Sequence, residues 1–229
     1  QLFQRCFTVV SALFQNPATD REPARAAAEM LADEPAGLPL LNDDGTLRAA
    51  WSSDAGATWT DHREVLAVDG SDLRDPSLWV ADDGSLMMAT YYKNSSTGTI
   101  RGVWLHRSTD GGATWDSGRQ LTVGYSGASC GNPPVKVGGR WVLPLYAFSS
   151  SRSTRFSAYV ASSTDGITFG DPQLVVDGDA EGVQAAEPGL NVLPSGALVM
   201  TMRTTSRWAT SRDAGRTWTL TASPFDSAS

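Results

Sequence analysis

Four residues with useful chemistry each stand immediately before a proline: Glu34, Asp75, Asn132 and Glu187, with Arg74 directly ahead of Asp75. A second set recurs seven positions after a glycine: Tyr91 after Gly84, Tyr146 after Gly139 and Arg203 after Gly196, with Ser52 after Gly45 in a shortened copy. Two carboxylates facing one cleft can act as general acid and base, or as acid and nucleophile, in glycoside hydrolysis. Arginines in the same cleft bind a sugar carboxylate through paired hydrogen bonds. Asp75 and Glu187 are therefore the candidate catalytic residues, and Arg74, Arg203, Asn132, Tyr91, Tyr146 and Glu34 the candidate substrate-binding ones. Plainer roles exist for each. The carboxylates can bond backbone amides at strand starts, Arg74 can pair with Asp75 or a neighbouring carboxylate, and the tyrosines can pack. No metal or cofactor is expected. His62 and His106 stand alone, and Cys6 and Cys130 have no metal-ligand spacing. The cysteines read as unpaired small apolar residues, with a single bridge as the alternative.

What must position these residues is a repeat. Ser52 to Trp59, Ser108 to Trp115, Ser163 to Phe169 and Ser211 to Trp218 share one pattern of Ser, Asp, Gly, Thr and an aromatic ring, with the aspartates 56, 55 and 48 residues apart. Each is a hairpin turn in which the carboxylate accepts bonds from its own turn and Gly supplies positive φ. Four aspartates in identical contexts are folding devices rather than catalysts. Apolar strands lie between them, as in Ser85 to Tyr92 and Ala197 to Arg203, and a third strand enters each Asp turn, as in Gly102 to His106 and Ala158 to Ala161. Four strands recurring about every 50 residues predict an all-β protein, a β-propeller of four-stranded antiparallel blades. The expected domain is single, spanning 1–229, with an irregular segment over 1–33 and repeats at about 34–70, 71–128, 129–183 and 184–229. One helix is predicted, from Asp20 to Leu31, on a capping Asp and an Ala-rich body.

Strand direction then gathers the chemistry. If each first strand begins at its proline, where a sheet tolerates one, and runs downward from the top face, the Gly turn lies at the bottom, the second strand ends at the top and the third returns to an Asp turn at the bottom. The residues before the prolines and those ending the second strands thus share the top, around the axis.

The four Asp turns, three of them S-x-D-x-G-x-T-W and the third one residue shorter and ending in Phe169, with the R-x-P of Arg74-Asp75-Pro76 and the Glu187 to Arg203 spacing, resemble the sialidase superfamily with its Asp-box repeats, over about residues 34 to 220. The resemblance implies a six-bladed propeller and an exo-glycoside hydrolase removing a terminal sugar, sialic acid or a related one. By it, Arg74 matches the first sugar-binding arginine, Glu187 the glutamate that supports a nucleophilic tyrosine, and Arg203 the second arginine. Departures are visible. The stretch Tyr92 to Ile100, where the family's acid/base Asp belongs, has no acidic residue, and Asp75 stands where the family is usually apolar. The third arginine and the nucleophilic tyrosine belong to later blades than the four legible here. Two alternatives therefore remain open: an arabinofuranosidase of the same superfold, using the same carboxylates, and a non-catalytic glycan-binding or assembly propeller.

Composition narrows the partners. The 229 residues carry 18 Lys and Arg against 25 Asp and Glu, a formal charge of -7. That balance repels a phosphate backbone, so a glycan or glycoconjugate is expected and nucleic acid is not. No apolar run reaches the roughly 18 residues of a membrane span. The chain opens on Gln1, and Arg5 with the apolar stretch Phe7 to Phe14 resembles the end of a signal peptide, so a secreted or periplasmic location is expected. Asn94-Ser95-Ser96 matches a glycosylation acceptor.

Overall fold

The long strands in the middle of this chain are largely buried on both faces, so each of their sheets is covered on both sides. The computed structural model describes residues 27–32 (backbone only), 45–52, 54, 56–60, 63–203 and 207–222. In it, β1 (Ala27–Ala32), β2 (Leu47–Ser52) and β3 (Arg63–Leu66) form one antiparallel sheet. The second sheet is β4 (Ser71–Val80), β5 (Leu86–Asn94), β6 (Ile100–Ser108) and β7 (Arg119–Leu121), in that order. In the third, β8 (Ser126–Ser129) and β9 (Val135–Val137) both pair with β10 (Arg140–Phe148), followed outward by β11 (Ser157–Ser163) and β12 (Gln173–Val176). A single-turn helix, α1 (Gly178–Glu181), leads to the fourth: β13 (Ala186–Val192), β14 (Leu198–Arg203), β15 (Arg207–Ser211) and β16 (Thr219–Ala222). This is the expected all-β propeller architecture.

Three apolar clusters lie between the four sheets, one at each junction. Leu47 and Ala49 meet Leu73, Met88 and Tyr92 between the first and second. Met87, Ala89, Val103 and Leu105 meet Leu143, Leu145 and Tyr159 between the second and third. Val142, Ala158 and Val160 meet Leu198, Met200 and Ala209 between the third and fourth. The period of two along a strand divides the work: on β10, Val142 faces the fourth sheet while Leu143 and Leu145 face the second. His106 is a core residue. Its Nδ1 donates to the carbonyl of Asp116 at 3.0 Å and its Nε2 accepts from the Tyr92 hydroxyl at 2.9 Å. Burial lowers its pKa, so it stays neutral.

The Asp turns close as expected. In the second, Asp110 accepts from Ser108 Oγ (2.8 Å), Thr114 N (2.9 Å) and Thr114 Oγ1 (2.6 Å), while Ser108 Oγ accepts from Gly112 N. Asp54 and Asp213 make the corresponding bonds, and in the shorter third turn Asp165 accepts from Ser163 Oγ, Ile167 N and Thr168 N. The turns also bind neighbouring sheets: Trp51 Nε1 donates to Gly111 O at 2.9 Å, and Trp79 Nε1 to Gly166 O at 2.7 Å.

Three expectations are corrected. Ala27–Leu31 is not helical but lies in strand β1, in register with Arg48–Ser52, so strand pairing overrides its alanine-rich helix propensity and extends order into the 1–33 segment. The rest of the predicted helix, and Glu34, Cys6 and His62, lie outside the described residues. Ser52 does not end a second strand on the top face. The first copy lacks the intervening hairpin, so β2 runs straight into the Asp turn, and Ser52 Oγ donates to Asp54 Oδ1 at 2.8 Å. Finally, Pro76 does not begin a strand but sits inside β4, where the pairing register slips.

Candidate active site at the paired bulges

That slip builds the site. On β4, Arg74 pairs with Tyr91 and Ser77 with Ala89, so Asp75 and Pro76 together oppose Thr90. On β13, Ala186 pairs with Arg203 and Gly189 with Thr201, so Glu187 and Pro188 together oppose Met202. These are two β-bulges in equivalent places, each spelled carboxylate-proline. Proline suits the bulge because it brings no N–H that would lack a ladder partner. The carboxylate residues take left-handed backbone, φ 49° at Asp75 and 47° at Glu187. Such a conformation in a non-glycine residue costs on the order of 1–3 kcal/mol and persists where the surroundings enforce it. Its consequence is to re-aim the side chain out of the strand's alternation.

The third sheet holds both bulges. Its inner strand is interrupted between β8 and β9, and Pro144 of β10 lies opposite the gap, where a central strand can accommodate proline. From that gap, Cys130 Sγ contacts the Asp75 carbonyl at 3.8 Å, and Asn132 Nδ2 donates to the Pro188 carbonyl at 3.1 Å. Thr90 Oγ1 donates to the Arg74 carbonyl at 2.7 Å, completing the first bulge.

Six of the candidate side chains lie within electrostatic reach of one another. Asp75 is held well above the usual carboxylate range, at about 6, first by burial and then by the negative charge of Glu187; Arg74 and Arg203 oppose the rise. Glu187 is 36% exposed and bonded to Arg203 Nη1 at 3.0 Å. Burial, with the Asp75 charge second among the raising influences, lifts the Tyr91 phenol and pushes Tyr146 up to about 12. Burial also raises the Cys130 thiol, which is free and fully enclosed. Asp75, Glu187, Arg74, Arg203, Tyr91 and Tyr146 thus form one electrostatic cluster drawn from three sheets. Asn132 belongs to it through the Pro188 backbone rather than by presenting its amide nitrogen to the cleft.

One member escaped the sequence reading. Asp72 is buried and takes the Arg74 Nε on both carboxylate oxygens, at 2.9 and 2.7 Å. Its position two residues before Arg74 places both on one side of an extended strand, and that spacing was the available signal. Among the described residues no group of three His, Cys, Asp or Glu could hold a metal ion, and no helix is long and apolar enough to cross a membrane.

The sequence profile of the BNR repeat-like domain matches residues 42–227. No curated protein matches the sequence. Among solved structures, a protein of unknown function from Dyadobacter fermentans superposes with TM-score 0.65 at 19% identity, over 86% of this chain and 65% of that one. An α-L-arabinanase of Penicillium chrysogenum complexed with arabinobiose gives 0.61 at 16%, over 87% and 60%. An α-L-arabinofuranosidase of Fusarium graminearum in complex with an iminosugar inhibitor gives 0.62 at 17%, over 85% and 59%. The chain therefore spans less than two thirds of the length of these neighbours.

Proposed function

The chain belongs to the BNR repeat-like domain family, and within it we propose a glycoside hydrolase that releases a terminal neutral sugar, an L-arabinofuranose, from a glycan. The observation that carries the proposal is the matched pair of bulges, which brings two carboxylates within electrostatic reach of each other while giving them different surroundings. Asp75, enclosed and raised to about 6, is the general acid that protonates the departing oxygen. Glu187, ion-paired with Arg203, is the carboxylate that activates water or attacks the anomeric carbon. Tyr91 and Tyr146 keep their protons and line the opening as neutral walls. Asn132 and Cys130 are positioning residues that fix the bulges from the third sheet.

The pairing of the arginines supports a neutral sugar. Arg74 bonds Asp72 and Arg203 bonds Glu187, so each guanidinium already meets a carboxylate. An anionic sugar would face Asp75 and Glu187 with that positive charge already matched. A sialoside is the second reading, favoured by two arginines at one opening and by the Asp-box resemblance. The similarity of the fold to an arabinanase and an arabinofuranosidase supports the neutral one.

Hydrolysis of α-L-arabinofuranosides and of sialosides by the folded chain tests the proposal. Release of arabinose that disappears in Glu187→Gln supports it. Cleavage of the sialoside alone contradicts the sugar assignment, and silence on both substrates contradicts the enzyme reading and favours a glycan-binding propeller.

A further inference from the structure

A cavity with a volume of about 230 Å³ opens away from the bulges, lined by Arg101, Gly102, Gln120, Tyr125, Ser126 and Gly127 among others. It lies where β6 begins, where β7 ends and where the chain crosses to β8. By strand direction these are all top-face positions, so the cavity shares the face of the candidate active site. Two sets of contacts connect it to the first bulge. Arg101 Nη1 donates to Ser71 Oγ at 2.9 Å, and Ser71 precedes Asp75 by four residues on β4. Tyr125 enters β8 and precedes Cys130, which touches the Asp75 carbonyl. Across the sheet, Arg74 pairs with Tyr91 and Tyr91 with Val103, so at about 4.8 Å between strands the start of β6 lies roughly 10 Å from the first bulge, with the crossing to β8 beyond it.

Its chemistry is that of sugar recognition. Tyr125 is 64% exposed, more than any other large apolar side chain among the described residues. Its backbone is nonetheless fixed, with its N–H donating to the Phe148 carbonyl at 2.7 Å. An aromatic ring on a held backbone offers a flat apolar face to the C–H side of a sugar at small entropic cost. Around it stand hydroxyl-binding groups: the Arg101 guanidinium, the Gln120 amide, which is steadied by the Arg101 carbonyl at 3.2 Å, and Ser126. The backbone at Gly124 and Gly127 has φ 55° and 67°. A side chain at Gly124 would meet the Phe148 carbonyl oxygen within 2.6 Å, so the crossing loop stays narrow beside the ring. The volume falls below the roughly 300 Å³ at which drug-sized pockets begin, and suits one or two sugar rings rather than a cofactor.

We propose that the Tyr125 cavity is a remote subsite for the body of an arabinan chain whose terminal sugar lies at Asp75 and Glu187. This rests on the arabinofuranosidase reading above. The test is calorimetric titration of the chain carrying Glu187→Gln, which blocks turnover, with arabinobiose and with arabinohexaose, each repeated with Tyr125→Ala and Tyr125→Phe added. Arabinohexaose is expected to bind more tightly than arabinobiose, and Tyr125→Ala to weaken arabinohexaose about five- to tenfold while leaving arabinobiose unchanged. Tyr125→Phe keeps the ring and is expected to retain the longer sugar. Equal binding of arabinohexaose with and without the Tyr125 ring overturns the subsite while leaving the active-site reading intact. Failure of both oligosaccharides to bind, from a folded sample, overturns the arabinan reading and the subsite with it. The ring is exposed, so Tyr125→Ala leaves the fold unchanged, which the melting temperature verifies.

Discussion

Two populations of acidic residues occupy opposite ends of the same blades, and their surroundings drive them in opposite directions. In the Asp turns, Asp54 and Asp110 are held down at about 2, first by the threonine hydroxyl four residues on and then by that residue's N–H. Asp165 is held at about 2, chiefly by Ser163, and Asp213 lower still by Thr217. At the bulges, Asp75 is instead raised to about 6 by burial and by Glu187. The same side chain is a structural clamp where donors surround its charge, and an acid where enclosure and a like charge disfavour that charge. The backbone follows the same division. Positive φ in the turns falls mostly on glycines, with Ala214 the exception, whereas at the bulges it is imposed on the acidic residues themselves.

The largest expected effect comes from breaking the bulge pair. Asp75→Asn and Glu187→Gln should each lower kcat on an arabinofuranoside by about 10²–10⁴-fold with the circular dichroism unchanged. The corresponding change in a turn, Asp110→Asn, should leave kcat intact and lower the melting temperature by a few degrees, because the ionised carboxylate is what its donors hold.

The second contrast is in stability. The folded pKa of Asp75 lies above its usual 3.8, so the unfolded chain loses this proton first as pH rises. Stability is therefore lost between about pH 4 and 6 and stays lower above that. Asp75→Asn should raise stability at pH 7, by at most about 3 kcal/mol, and change it little at pH 3. The turn aspartates carry the opposite sign: their stabilisation is present above about pH 4 and fades as pH falls toward 2. Urea titrations of the parent chain and Asp75→Asn at pH 3, 5 and 7 check both signs.

The smallest effect sharpens the role of the third sheet. Asn132→Ala removes one hydrogen bond to the Pro188 carbonyl, at a cost of about 1 kcal/mol. If Asn132 positions Glu187 through the bulge, kcat should fall severalfold with KM nearly unchanged, and Asn132→Asp, which cannot donate from the same atom, should not restore it.

The blades were legible in the sequence because each turn repeats the same donors around the same carboxylate, a signal that survives without any partner strand. The axial cluster was legible because strand direction alone brings residues before the prolines to the second-strand ends; Arg74 opposite Tyr91 and Ala186 opposite Arg203 follow that logic. What the sequence hid was set by tertiary contact. Ala27–Leu31 has helix propensity, and only pairing with β2 makes it a strand. In the sequence alone the bulges look like strand starts, because a proline is equally at home in both. Asn132 shares the motif of Asp75 and Glu187, yet its amide nitrogen is turned to a neighbouring backbone, which only the adjoining sheet determines.

The central claim is that Asp75, raised by its surroundings, supplies the proton and Glu187 the opposing carboxylate. The most direct measurement is kcat/KM on arabinobiose from pH 3 to 9, for the parent chain and for Asp75→Asn. The account predicts a rate that falls above about pH 6 in the parent, and in Asp75→Asn a residual rate without that alkaline limb. A parent profile that stays flat through pH 6, or an alkaline limb that persists unchanged in Asp75→Asn, would contradict it.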